Sequence, residues 1–295
     1  MALELQRDII IWLQGFSNTL TDWFFNFVSF FGEPEFYILL LGLIYWTISK
    51  RAGEFLGITL GLSISINNIL KGIFMVERPH ITYPDEINNM RASTATGSAF
   101  PSGHAQGANT VFFGIAAYFK RRGFWIFAWI LMVLMMLSRM FLGVHYLQDV
   151  VVGSIIGLAI ALLMHRAFTK LHETPEKLHQ FYLALIIVMF PAILLIDVND
   201  FFRGYGIMVG FFIAILIEKK KVNFSVNVPI IKLTIRYVVG VLFMLLTMIA
   251  LGELFDLIGF EAASFGANML DFVRFFAVAL TGFGIYPMLF KKLNF

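Results

Sequence analysis

The sequence predicts an all-α protein: a polytopic membrane helical bundle preceded by an N-terminal amphipathic segment. Three observations point there. Hydrophobic residues make up 59% of the 295-residue chain and charged residues only 14%, against about 25% charged in a soluble domain. The apolar residues gather in runs approaching the ~20 residues that cross a bilayer, with short polar stretches between them. Lysine and arginine concentrate in alternate loops, as they do when loops alternate between two compartments. The 34 phenylalanines suit lipid-facing and interfacial surfaces. The chain has no cysteine, which excludes disulfides, thiolate metal sites and a cysteine nucleophile. No stretch resembles a nucleic-acid motif, and the basic residues punctuate loops, so no nucleic-acid partner is expected; the net charge is only +3. The start lacks a basic segment followed by a short apolar stretch and a small-residue cleavage site, so no cleavable signal is expected.

The elements follow in order. Residues 1–31 stand apart: Leu3, Leu5, Ile9, Trp12, Leu13 and Phe16 alternate at helical spacing with Glu4, Arg7, Asp8 and Gln14. That pattern predicts an in-plane amphipathic helix, with the stretch from Thr21 to Phe31 able to dip into the bilayer. Residues 32–170 carry candidate spans at Phe36–Ile48, Phe55–Val76, Gly107–Phe119, Phe124–Leu137 and Tyr146–Met164. Residues 171–295 add Phe181–Ile196, Gly206–Ile217, Ile231–Leu251 and Phe272–Phe290.

Charge sorts the connections. Lys50-Arg51, Lys120-Arg121-Arg122, Arg166 with Lys170 and Lys177, Lys219-Lys220-Lys221 and Lys291-Lys292 form one set. The other set is poor in Lys and Arg and includes Asp197-Val198-Asn199-Asp200 and the Glu253 to Asp271 region. Cytoplasmic loops carry the basic excess, which predicts a cell-membrane protein with a cytoplasmic C-terminus. His165, His172 and His179 fall on the basic side and are expected to face solvent; Glu253, Asp256, Asp271 and Arg274 read as solvated helix ends. The connection from Pro79 to Phe100 has the length of a lid or headgroup-binding loop, and equally of a passive connector.

Three polar stretches interrupt this pattern, and all fall on the side opposite the basic loops. Lys71 sits in a run that should span, where a charge at the bilayer centre costs about 2.5–3.5 kcal/mol. Alone it would read as a lysine snorkelling to the interface. Arg78 follows two helical turns later, and Pro79 disfavours helix at the residue before it, so the helix should end near Arg78. Two cations on one face of a helix mouth can bracket an anion. Pro101, Ser102 and Gly103 are natural residues for opening a helix, whose free N–H groups bind phosphate oxygens, and His104 would sit there. Standing alone, that stretch would read as a capped helix start with a surface histidine. In the third stretch, Ser138 and Arg139 precede His145 and Asp149, the latter two one turn apart on a helix. A carboxylate bonded to one ring nitrogen leaves the other free to attack, and a guanidinium can hold phosphate in bidentate fashion. Asn67 and Asn68, just before Lys71, read as interhelical hydrogen-bond formers.

Lys71-x6-Arg78-Pro79, Pro101-Ser102-Gly103-His104 and Ser138-Arg139-x5-His145-x3-Asp149 resemble the three signature motifs of the type 2 phosphatidic acid phosphatase family. That family includes lipid phosphate phosphatases, polyprenyl diphosphate phosphatases, glucose-6-phosphatase and vanadium-dependent haloperoxidases. The resemblance covers about Phe55 to Met164, within 32–170, which it marks as the catalytic core; the helices of 171–295 lie beyond it. The family often follows the first motif with a second basic residue and proline, whereas here His80-Ile81 follow. The resemblance implies a metal-independent phosphatase without cofactor. His145 would be the nucleophile oriented by Asp149, and His104 the acid and then the base. Lys71, Arg78 and Arg139 would bind phosphate with Ser102 and the Gly103 amide; Pro79, Pro101 and Ser138 would be motif members without an assigned role.

The substrate expected from this is a lipid phosphate among the membrane lipids, cleaved at the outer face through a phosphohistidine. A polyprenyl diphosphate phosphatase would use the same residues. A lipid-phosphate transporter or flippase would need the cations but not an activated nucleophile, and the presence of His145, His104 and Asp149 ranks it lower.

Overall fold

A computed structural model describes residues 2–91, 95, 97–196, 198–261 and 264–292. Asp197, read above as part of a loop poor in basic residues, lies outside the described residues. Among those described, every regular element is helical: α1 (Ala2–Gln14), α2 (Thr19–Phe30), α3 (Pro34–Leu43), α4 (Lys50–Phe74), α5 (Pro79–Thr82), α6 (Gly103–Phe119), α7 (Arg122–Phe141) and α8 (Leu147–Leu171), then α9 (Pro175–Met189), α10 (Ala192–Leu195), α11 (Asn199–Ile217), α12 (Ile230–Asp256), α13 (Phe265–Leu280) and α14 (Pro287–Lys292). Single π turns at Ile44–Ile48, Glu218–Val222 and Thr281–Ile285 continue α3, α11 and α13. Among the described residues, seven helices are long and apolar enough to cross a membrane, and α2 with α3 forms a further apolar pair bent by 56° at its break. The all-α reading holds, and most spans are longer than their apolar cores, because polar residues at the ends continue the helix.

The chain divides into two compact units, Met1–Phe36 with Ile66–His165 and Tyr37–Ser65 with Arg166–Phe295. In the first, α2 and α6 both pack on α7. Asn18 opens α2: its side-chain oxygen accepts the Leu20 and Thr21 N–H groups, while Thr21 Oγ1 accepts the Asn18 N–H. The amphipathic α1 buries Ile10 and leaves Trp12 64% exposed. It is fastened at both ends. Gln6 exchanges hydrogen bonds with Gln148 at the start of α8, at 2.9 and 3.2 Å. Gln14 Nε2 donates to the Asn88 and Phe141 carbonyls at 2.8 and 3.0 Å. Between α6 and α8, Asn109 Nδ2 donates to Ser154 Oγ at 2.9 Å, the kind of polar bond that joins helices where lipid offers no hydrophobic drive.

In the second unit α11 packs along α13, with the Phe211 and Phe283 rings 4.4 Å apart. Several basic residues here do more than mark a loop. Lys50 Nζ lies 2.7 Å from the buried Glu218 carboxylate and donates to the Phe224 carbonyl at 2.9 Å. Lys219 pairs with the buried Glu54 at 3.0 Å. His172, partly exposed, lines a cavity of about 120 Å³ with Arg51, Glu54 and Lys219, and the partly exposed His179 has its Nε2 3.1 Å from Lys219 Nζ. Asp271 and Arg274 are engaged as well: Asp271 accepts from Arg203 at 3.0 Å and Arg274 donates to the Met248 carbonyl at 2.8 Å.

Candidate active site

All three polar stretches fall in the first unit. The first ends differently from its sequence reading. The helix stops at Phe74, four residues early, where Met75 takes a left-handed φ of 45°. Arg78 is extended (φ −79°, ψ 152°) and Pro79 opens the short α5. The two cations therefore do not share a helix face. They meet through the loop opposite, where Lys71 Nζ donates to the Ser98 carbonyl at 2.8 Å and Arg78 Nε to the Gly97 carbonyl at 2.9 Å. Arg78 also donates to the Val144 carbonyl at 3.0 Å, which brings its guanidinium to 3.3 Å from His145 Nε2.

The second stretch opens α6. Ser102 is its N-cap, with its hydroxyl facing the Ala105 N–H at 3.5 Å, and Gly103 is its first residue. The Ser102 N–H donates to the Asp149 carbonyl at 3.0 Å, so the second and third stretches are joined through backbone. Asn67 Nδ2 reaches the Pro101 carbonyl at 3.3 Å and Gln106 Oε1 at 2.9 Å, a bond between helices as its sequence position suggested. His104 follows in the first turn, and its Nε2 is buried with no hydrogen-bond partner.

The third stretch straddles a turn. His145 is not helical: α7 ends at Phe141, Gly143 turns the chain with φ +75°, and α8 begins only at Leu147. Asp149, in the first turn of α8, accepts the Tyr146 N–H at 2.8 Å through Oδ2. The same oxygen stands 3.5 Å from His145 Nδ1, a charge-pair distance beyond ordinary hydrogen-bond range. The pair meets as the spacing predicted, but across a helix start. Ser138 Oγ donates to the Phe25 carbonyl at 2.7 Å. Arg139 is fully buried, donating from one terminal nitrogen to Ser29 Oγ at 2.5 Å, while its Nε and other terminal nitrogen are buried without partners.

Electrostatics converge on His145. Burial, followed by the positive charges of Arg78, Arg139 and Lys71 and the neighbouring His104, holds its imidazole well below the ordinary histidine range. The ring is thus kept neutral, with a lone pair available. The expected site residues are brought together: Lys71, Arg78 and His145 through one loop and one turn, Ser102 and Asp149 through a backbone bond. Sequence reasoning missed a second ring of groups, because nothing in the pattern of α2 marked it. Ser29 holds Arg139, and the α2–α3 turn carries Glu33, which pairs with Arg91 of the 79–100 connection. Arg91 also donates to Asn26 Oδ1 at 2.8 Å. Among the described residues, no three His, Cys, Asp or Glu side chains gather as a metal-ligand set.

Comparison with known proteins agrees with the motifs. Residues 54–173 match the PAP2 superfamily, and residues 202–295 match the transmembrane extension of PAP2 superfamily phosphatases. A probable sphingosine-1-phosphate phosphatase of Dictyostelium discoideum is 29% identical over 176 residues, which is 54% of this chain and 41% of that protein. A lipid A 4′-phosphatase of Porphyromonas gingivalis is 22% identical over 56% of this chain and 74% of its own length. The crystal structure of a transmembrane PAP2-type phosphatidylglycerolphosphate phosphatase from Bacillus subtilis superimposes with a TM-score of 0.48 at 22% identity, covering 57% of this chain and 86% of that one.

Proposed function

Because the chain belongs to the PAP2 superfamily, we propose that it is an integral-membrane phosphatase that hydrolyses the phosphomonoester of a lipid phosphate at the outer membrane face, through a phosphohistidine and without a metal. The observation that carries this reading is the setting of His145: a buried imidazole with Asp149 at 3.5 Å behind one nitrogen and the Arg78 guanidinium at 3.3 Å before the other. Transport would need the cations but not this arrangement. The named activities of two relatives, on sphingosine-1-phosphate and on lipid A, favour a lipid phosphate as substrate.

In the proposed reaction the phosphoryl group enters between Arg78, Lys71 and the unpartnered edge of Arg139, displacing the Arg78 contact with His145. The Nε2 lone pair attacks phosphorus, the bond to the lipid oxygen breaks, and that oxygen takes a proton from His104. Asp149 stabilises the positive charge that develops on the His145 ring. Water then attacks the phosphohistidine and gives its proton to His104; the P–N bond breaks, and inorganic phosphate leaves with both histidines restored. The cations meet charge spread over the equatorial oxygens, a role that metal ions fill in other phosphoryl-transfer sites. Splitting the displacement in two requires one nucleophile and one acid–base group, and two histidines are present.

The test is phosphate release by the purified protein in lipid nanodiscs with excess EDTA, using sphingoid and glycerolipid phosphates. Turnover with a rapidly quenched, acid-labile phosphoenzyme is expected, with loss of both in His145→Ala. Activity that survives His145→Ala, or that needs an added divalent ion, would refute the mechanism. Sidedness is read separately by labelling Ser98→Cys in intact cells with an impermeant thiol reagent; protection from outside would reverse the topology.

A further inference from the structure

The helix α2 lies outside the stretch matched to the PAP2 domain, and its sequence marks it only as an aromatic stretch able to dip into the bilayer. Its inner face says more. Residues 25, 29 and 32 recur at the spacing of one helix face, and each touches a member of the polar motifs. The Phe25 carbonyl accepts from Ser138 Oγ at 2.7 Å, and Ser29 Oγ accepts from Arg139 at 2.5 Å. Gly32, just past the helix, packs on His104 so closely that a Cβ there would lie 2.9 Å from the histidine Cβ. The opposite face carries Leu20, Trp23 and Phe27, each at least 48% exposed.

We propose that Ser29 is a positioning residue for the phosphatase reaction, orienting Arg139 so that its unpartnered edge faces the phosphoryl oxygens. A guanidinium has five N–H donors in a rigid planar fork, so fixing one terminal nitrogen fixes the direction of the rest. Here the Ser29 hydroxyl takes one terminal nitrogen. Nε and the other terminal nitrogen form the edge suited to two parallel bonds with phosphate, and both are buried without partners. Ser29 is itself fully buried, so its hydroxyl has no competing solvent. A hydroxyl is well matched to this role, because it fixes the arginine without bringing a negative charge that would repel the substrate. In this way α2, most of which the sequence reads as able to dip into the bilayer, supplies the back wall of the anion site.

This inference rests on the phosphatase reading, and a double-mutant cycle in nanodiscs tests the two separately. Ser29→Ala removes the acceptor at nearly constant volume and should lower kcat/KM on the order of tenfold, the worth of a hydrogen bond to a charged group. Ser29→Thr, which keeps the hydroxyl, should retain most activity. The deciding measurement is Ser29→Ala in the Arg139→Ala background, where it should cost nothing further, because the residue acts only through the arginine. Equal losses in both backgrounds would show a general packing role and overturn the proposal, as would unchanged kcat/KM in Ser29→Ala. If Ser29→Ala fails to fold while Ser29→Thr folds, Ser29→Cys replaces it in the cycle, keeping the volume with a much weaker acceptor, and the same additivity criterion applies. Wild-type protein without phosphatase activity would instead refute the reading on which the inference rests.

Discussion

Gly143→Ala isolates how the turn before His145 sets the site. Gly143 adopts φ +75°, where an L-residue with a Cβ pays about 1–2 kcal/mol. Space is the larger difficulty. An added Cβ would lie 2.2 Å from the Asn88 carbonyl oxygen, 2.8 Å from Gln14 Nε2 and 2.9 Å from Ile87 Cγ2. Reaching ordinary contact at 3.4 Å from the oxygen means a separation of about 1.2 Å (3.4 − 2.2) between the turn and the 79–100 connection. Neither side yields easily, because Gln14 pins the Asn88 carbonyl at 2.8 Å and Met90 N donates to the Leu142 carbonyl at 3.1 Å. His145 lies two residues beyond, and a shift of ~1 Å at a reacting group costs roughly 10²-fold in rate. Gly143→Ala should therefore lose about two orders of magnitude in kcat/KM and unfold at lower temperature than wild type. Gly259→Ala is the control: it pays a similar backbone cost at φ +71° with nothing within 4 Å, so it should lose stability but keep activity. Wild-type kcat/KM in Gly143→Ala would refute the claim that this turn positions the nucleophile.

Asp149→Asn keeps the shape and the capping bond to Tyr146 but removes the charge facing His145, and should lower kcat by roughly 10²-fold or more; a change within twofold would show that the carboxylate is a cap alone. Burial and then Arg78 are the first causes of the lowered His145 pKa, so Arg78→Gln should raise it and leave less neutral imidazole as pH falls. The acid limb of kcat/KM should then lie at higher pH in the variant than in the wild type, and a limb that does not move would contradict the electrostatic account. Glu218→Ala removes the carboxylate that Lys50 and the buried Phe224 N–H share and should cost about 1–3 kcal/mol of stability, read as a lower unfolding temperature in detergent; an unchanged transition would mean the pair contributes nothing.

The sequence made the helices and the chemistry legible for different reasons. Spans were readable because lipid imposes a crude, long-range demand for apolar residues, which the runs Phe124–Leu137, Tyr146–Met164 and Ile231–Leu251 meet. The motif residues were readable because charge in such surroundings demands a reason. Backbone detail was less visible. Nothing in Ile73-Phe74-Met75 announces that α4 stops before Arg78, or that Met75, 74% exposed, takes a left-handed φ. Ser29 and Glu33 escaped notice because a serine among aromatic residues and a glutamate before proline carry no spacing signal. Their partners, Arg139 and Arg91, lie 110 and 58 residues away.

The motif cations are held differently from Lys50 and Lys219. In the second unit Lys50 and Lys219 run to carboxylates, Glu218 and Glu54, so charge is cancelled where it is anchored. In the first, the bonds that orient Lys71 and Arg78 run to the Ser98, Gly97 and Val144 carbonyls, and Arg139 is held by a hydroxyl. A neutral dipole fixes the direction of a cation while leaving its charge to act on whatever enters. A carboxylate would fix it equally well and then compete with the phosphate for it. The expense of this choice is buried positive charge that neutral partners compensate only in part, and His145 registers it in an imidazole held neutral. The field that would draw in a phosphate dianion thus adds to burial, the larger cause, in keeping the attacking nitrogen unprotonated.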